Sequence, residues 1–195
     1  MAIKTILNYS PNFDSKKRAK KQIKFIIFHY TGMKKESDAI NKLTNIQSQV
    51  SCHYLIKNSG KIIKIVPNLY IAWHAGKSSW KRLNSLNKYS IGIEITNPGS
   101  QFGYKKFSKK QISAILRLSK FLIIKYKISL KNILGHSDIA PERKKDPGEK
   151  FPWKYLSENK IGLWHTLKKQ DLIKNRNFKI NNIEKKLFFS NLFKI

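Results

Sequence analysis

Apolar positions along the chain fall into two rhythms. From Ile23 to His29, "IKFIIFH" is a nearly continuous apolar run, the pattern of a strand buried on both faces. Thr31-Gly32 breaks it, and Ser37 then offers a cap for a helix whose apolar positions Ile40, Leu43 and Ile46 recur at helical spacing. The segments "HYLIK" and "KIIKIV" flank Asn58-Ser59-Gly60 and predict a hairpin with a glycine-bearing turn. Ile91, Ile93 and Ile95 alternate with Gly92 and Glu94, a period-two strand. At Ser108–Gln111, "SKKQ" has the capping-box pattern and opens a long helix. Its stripe is Ile112, Ile115, Leu116, Leu122 and Ile123, with the small Ser119 filling the one gap. "NILGH" is a short strand that runs into "GHSDIAPERKKDPG". Interleaved strands and helices with a hairpin in the middle predict an α/β fold: one domain with a central mixed β-sheet flanked by helices.

After Trp153 the pattern weakens, and from Lys168 the chain is rich in Lys and Asn. Ile180, Ile183, Leu187 and Phe188 still predict an amphipathic helix, packed back on the domain. The expected organisation is an N-terminal extension over 1–22, a domain over 23–167 and a basic C-terminal extension over 168–195. A length of 195 residues suits one domain burying roughly 70% of its unfolded surface. A hydrophobic content of 41% excludes wholesale disorder. No run of eighteen apolar residues exists, so no membrane span is expected. "MAIKTILNYSPNF" is too weakly apolar for a secretory leader, and the single Cys52 fits a reducing compartment. The expectation is a cytoplasmic protein, with the periplasm, reached by an unrecognised route, as the alternative.

The formal charge of +29 would attract nucleic acid, anionic lipid or an acidic wall polymer. Only five of the 40 basic residues are arginine: Arg18, Arg82, Arg117, Arg143 and Arg176. Phosphate and base-edge readers favour the arginine fork, so lysine spread along the whole chain describes solvated faces rather than a specific nucleic-acid binder.

His29 lies at the end of one buried strand and His136 follows another, where ligands collect beyond strand ends. If those strands are neighbours, both imidazoles enter one cleft, and Asp146 reaches it through the loop containing Pro141. Two histidines and a carboxylate leave one coordination position open, the arrangement of catalytic zinc. Each residue also has a plainer explanation. His29 could be a satisfied strand-end histidine, and Asp146 before Pro147-Gly148 has turn composition. Asp138 competes with Asp146 as third ligand, and His53 and His74 compete as imidazoles. Glu94 stands on the face opposite Ile91, Ile93 and Ile95, so it either meets solvent or serves as a general base beside a metal-activated water. Lys144 is either one lysine of a solvated "RKK" run or an oxyanion-stabilising cation.

Five stretches occur in order: "FIIFHYTG", "SCHYLIKNSGKIIKIVP", "AWHAGKSSW", "LNKYSIGIEITNPG" and "GHSDIAPERKKDPGEKFPW". Together, from about Ile23 to about Trp164, the chain resembles the AmpD-like N-acetylmuramoyl-L-alanine amidases of the zinc amidase and peptidoglycan recognition protein superfamily. The resemblance implies one Zn2+ per chain held by His29, His136 and Asp146, with Glu94 as catalytic carboxylate and Lys144 stabilising the oxyanion. It assigns Arg143 to substrate carboxylates and makes His53 and His74 non-ligand histidines. Trp73, His74 and Asn97 are the further candidate substrate contacts. Some relatives carry tyrosine where this chain has Cys52, consistent with Glu94 as the base. The implied activity is hydrolysis of the amide between N-acetylmuramoyl, or anhydro-muramoyl, and L-alanine in peptidoglycan or muropeptides. A non-catalytic peptidoglycan-binding module is the alternative.

Overall fold

The computed structural model describes residues 3–165 together with Leu167 and Gln170. The chain opens with strands β1 (Ile6–Leu7), β2 (Phe13–Asp14) and β3 (Phe25–Tyr30), then helix α1 (Glu36–Thr44) and the hairpin of β4 (Tyr54–Ile56) and β5 (Ile62–Lys64). Short strands β6 (Ile71–Ala72), β7 (Ser79–Trp80) and β8 (Leu83–Asn84) lead to β9 (Ser90–Ile95) and the long helix α2 (Lys109–Tyr126). Strand β10 (Ile133–Gly135) and helices α3 (His136–Ile139) and α4 (Trp153–Glu158) follow. Six strands form one sheet in the order β1-β5-β4-β9-β3-β10. β4 and β5 pair antiparallel and the other neighbours pair parallel, so the sheet is mixed as expected.

Strand alternation divides the core. Ile26 and Phe28 of β3 and Ile91, Ile93 and Ile95 of β9 face α2, where they meet Ala114, Ile115, Leu118 and Leu122. Phe25 and Ile27 point to the other side, against Ala75, Leu86, Leu134 and Ile139. Leu55 and Ile63 on that side meet Leu43 of α1. The face opposite α2 is therefore covered by α1 and by loops, and it is the face on which β3 and β9 carry His29 and Glu94.

Two helix details differ from expectation. α1 begins at Glu36 after Lys35, so Ser37 lies inside its first turn and bonds only to Asp38. What fixes this end is Glu36, which accepts the Asn58 N–H at 2.7 Å and pairs with Lys57 at 3.0 Å, tying α1 to the hairpin turn. Ile46 falls beyond the helix and is 67% exposed, because Asn45 caps a separate short turn by accepting the Gln47 N–H. In α2 the residues nearest the sheet are Ala114, Ile115, Leu118, Ser119 and Leu122, while Ile112, Leu116 and Ile123 flank them. Small Ala114 and Ser119 let the helix approach, which rotates the buried line away from the larger residues.

Residues 3–22 are built into the domain. β1 adds the edge strand beside β5, and β2 pairs with β6. Arg18 is 5% exposed; its guanidinium donates to the Asn68 and Asn87 carbonyls and stands 3.0 Å from His53 Nε2. The compact unit holding all of these elements ends at Gly162, just after the fully buried Ile161. The helix expected around Ile180 and Leu187 lies outside the described residues. No described helix is long and apolar enough to cross a membrane.

The capping box at Ser108 is formed, with Ser108 Oγ accepting the Gln111 N–H at 3.2 Å and Gln111 Oε1 accepting the Ser108 N–H at 3.0 Å. Gln111 Nε2 also donates to the Thr96 carbonyl at the end of β9, at 2.7 Å. Ser108→Ala should cost about 1 kcal/mol in urea denaturation. Gln111→Ala should cost more, because it also strands a buried carbonyl.

Candidate metal centre

Parallel pairing assembles the site. The β3–β9 register sets His29 beside Glu94, and the β3–β10 register sets Phe28 beside Gly135, so His136 leaves β10 next to His29. α3 starts at His136, and the loop after it folds back until the Ser137 N–H donates to the Asp146 carbonyl at 2.9 Å. That turn delivers the Asp146 carboxylate to the two imidazoles.

His29 Nδ1, His136 Nδ1 and Asp146 Oδ2 form a nearly equilateral triangle with sides of 2.9, 3.1 and 3.0 Å. All three residues are buried, at 1%, 3% and 7% exposure. Donors around a tetrahedral zinc, with bonds of about 2.0–2.2 Å, stand about 3.3–3.6 Å apart, so the triangle lies within a few tenths of an ångström of that spacing. Among the described residues this is the group that could hold a metal ion. Burial drives His29 down to about 4, and Asp146 only partly offsets this. A neutral imidazole and an ionised carboxylate are the forms that bind a metal.

The triangle lies in a cleft of about 560 Å3 that Glu94, Lys42, Arg143, Lys144 and Lys145 also line. Glu94 Oε2 is sealed from solvent without a hydrogen-bond partner. Burial and the nearby Asp146 carboxylate push Glu94 up to about 8, against a smaller pull from Lys144 and Lys42. An orphaned carboxylate oxygen beside three converging ligand atoms fits a cation and a water at this position.

The remaining candidates divide. Asp138 turns back to accept the Gly135 N–H at 2.7 Å and stays out of the triangle. His74 lines the cleft and meets His29 through Nδ1···Nε2 at 3.0 Å. His53 accepts the Gly92 N–H at 3.0 Å and does not line the cleft. Arg143 commits Nε to the Lys77 carbonyl and Nη2 to the carbonyls of Lys77 and Ala75, so it ties its own loop to the 75–77 segment. Asn97 and Trp73 lie outside the cleft lining. Asn97 Nδ2 donates to the Lys105 carbonyl, and the Trp73 indole donates to Asp14 at 2.6 Å. Cys52 is fully buried and donates to the Tyr54 carbonyl. Ser90, Asn87 and Ala75 were not expected, yet all three bond to the site: Ser90 Oγ to His74 Nε2, Asn87 Oδ1 to the His74 and Ala75 N–H groups, and the Ala75 carbonyl to His136 Nε2. One signal was available for Ser90, because "SIGIE" sets Ser90, Gly92 and Glu94 on the same strand face.

Fold and site together define an α/β protein with a candidate metal centre at the ends of its central parallel strands. Residues 19–149 match the family described as N-acetylmuramoyl-L-alanine amidase, and the chain belongs to that family. It is 41% identical over 155 residues to the N-acetylmuramoyl-L-alanine amidase AmiD of Escherichia coli, a match covering 73% of this chain and 55% of AmiD. It is 40% identical over 105 residues to the 1,6-anhydro-N-acetylmuramyl-L-alanine amidase AmpD of Citrobacter freundii, covering 54% of each. The chain thus spans about half the length of these curated relatives. Among solved structures, E. coli AmiD in complex with the substrate anhydro-N-acetylmuramic acid-L-Ala-D-gamma-Glu-L-Lys superposes with a TM-score of 0.69 at 37% identity, over 80% of this chain and 64% of that one. AmpDh3 from Pseudomonas aeruginosa in complex with anhydromuramic pentapeptide gives 0.72 at 32% identity, over 89% and 75%.

Glu94 makes the metal-free protein pH-sensitive. The folded state keeps the Glu94 proton up to about 8, whereas an ordinary glutamate releases it near 4.5. The folded state therefore binds the extra proton between those values, and its stabilising effect is complete below the lower one and lost as pH rises through the upper one. Metal-free wild type should lose thermal stability relative to Glu94→Gln as pH rises across this window. Parallel melting curves would locate the titrating group elsewhere.

Proposed function

We propose that this chain is a zinc-dependent amidase that cleaves the bond between the lactyl carbonyl of N-acetylmuramic acid, or its anhydro form, and L-alanine of the stem peptide. The observation that carries this reading is the ligand triangle of His29, His136 and Asp146 with the unpartnered Glu94 carboxylate in the same cleft. Family membership and the muropeptide complexes of AmiD and AmpDh3 support the substrate class.

Zinc on this set would supply Lewis acidity at an open coordination position, polarising the scissile carbonyl and acidifying water. Glu94 takes the proton from the attacking water and returns it to the departing L-alanine nitrogen. Lys144, in the lining of the same cleft, supplies positive charge to the carbonyl oxygen as it becomes an oxyanion. Lys42 and Lys145 draw the stem carboxylates towards the cleft. Arg143 braces the wall through the Ala75 and Lys77 carbonyls and has Nη1 left to meet a carboxylate.

The test is release of free peptide from an anhydro-muramoyl tripeptide, followed by mass spectrometry. Activity should disappear with a chelator and return with zinc. Glu94→Gln should keep zinc and lose roughly 100- to 10,000-fold in turnover. Asp146→Ala should weaken metal binding and Asp138→Ala should not; the opposite result would exchange the third ligand. Muropeptide binding with zinc present and no peptide released would make the chain a binding module instead.

A further inference from the structure

Both histidines of the triangle are held from behind by one short loop, Trp73–Gly76. On one side a chain of hydrogen bonds has a forced direction. The Ser90 hydroxyl donates its only proton to the Leu86 carbonyl at 2.6 Å, so toward His74 Nε2, 3.1 Å away, it can only accept. His74 therefore carries its proton on Nε2. The ring is 6% exposed, and its hydrogen-bond partners, Ser90 and His29, are not anions, so it stays neutral with Nδ1 bare. Nδ1 then accepts from His29 Nε2 at 3.0 Å, which leaves the His29 Nδ1 lone pair directed into the triangle. On the other side the Ala75 carbonyl accepts from His136 Nε2 at 3.1 Å and frees the His136 Nδ1 lone pair in the same way.

The loop is itself pinned. Asn87 Oδ1 accepts the backbone N–H groups of His74 at 3.1 Å and Ala75 at 2.7 Å, and Ser51 Oγ accepts that of Trp73 at 3.0 Å. Gly92 leaves the space that the His74 ring fills: a Cβ there would stand 2.3 Å from His74 Cγ. These contacts come from three residues, Ser51, Asn87 and Gly92, yet all bear on the orientation of two rings.

We propose that the Trp73–Gly76 loop is a tautomer clamp that presets both ligand histidines with bare Nδ1 atoms facing Asp146, with His74 a positioning residue rather than a substrate contact and Asn87 the anchor of the loop. The proposal rests on the zinc reading above for its purpose, though not for its geometry. A preset tautomer spares the incoming metal the work of moving a proton and turning a ring, so the clamp acts on metal affinity first and on turnover only through it.

Two measurements on the full chain test this. In the metal-free protein, 15N chemical shifts of the histidine rings should show His29 and His136 protonated at Nε2. In His74→Leu, His29 should become a mixture of tautomers. Zinc affinity, measured by competition with a chelating dye, should fall about 10- to 100-fold in His74→Leu, while His74→Asn, which keeps an acceptor in the position of Nδ1, should stay within about threefold of wild type. Asn87→Leu should weaken zinc binding and Asn87→Asp should not. Melting of each metal-free variant separates packing loss from the clamp. Equal affinity in His74→Leu and wild type would overturn the proposal, as would equal weakening in His74→Asn and His74→Leu. Wild type that shows the expected tautomers but binds no zinc would overturn the metal reading and leave the clamp without a purpose.

Discussion

The site depends on the parallel register of three adjacent strands. β3 lies between β9 and β10, and its alignment carries His29 to the same level as Glu94 on one side and next to the start of α3 on the other. A shift of one residue in either pairing would turn the side chains of that strand to the opposite face. The apolar half of each strand prevents that slip. Ile26, Phe28, Ile91, Ile93 and Ile95 are all fully buried against α2, so the cost of misregister is the exposure of a whole core face. Packing on one side of the sheet thereby holds the chemistry on the other.

The opposite side gathers groups that resist burial. Two imidazoles, a carboxylate and a glutamate with an orphaned oxygen converge on one cleft, each with little contact with solvent. Glu94 answers by holding its proton up to about 8, and His29 by losing its own above about 4. A divalent cation would relieve the conflict among these groups, whose ring nitrogens and carboxylate oxygen stand about 3 Å apart. The same crowding that strains the free protein would suit the set to a metal ion.

Much of this was legible because it is local. A continuous apolar run gives β3, alternation gives β9, Asn58-Ser59-Gly60 gives the hairpin, and "SKKQ" gives the start of α2. The three atoms of the triangle follow from histidines at strand ends and the ten-residue return from His136 to Asp146. What escaped is carried by bonds between distant segments. Glu36 fixes α1 by reaching the turn at Asn58, so Ser37 looked like the cap. Arg18 sits in the core against Asn68 and Asn87, so the first 22 residues looked like an extension. Trp73 and Asn97 stand in motifs beside the site, but their side chains are spent on Asp14 and Lys105. Proximity in sequence to a functional residue does not decide which way a side chain turns.

A formal charge of +29 sets the last constraint, because the field of such a chain repels a metal cation. No acidic residue occurs between Glu94 and Asp138, a stretch that carries nine lysines and arginines. Attraction at the centre must therefore be local. Charges beyond about 8 Å are largely screened at physiological salt, whereas donor atoms in direct contact with an ion are not. Asp146 and the two Nδ1 atoms would win at that short range, where the distant lysines would hardly register. For the acidic stem peptide of the proposed reaction the balance would reverse, since Lys42, Lys144 and Lys145 line the cleft that leads to the triangle. A chain this cationic could thus attract an anionic substrate and still hold a cation, because Asp146 and Glu94 stand where the ligand atoms converge.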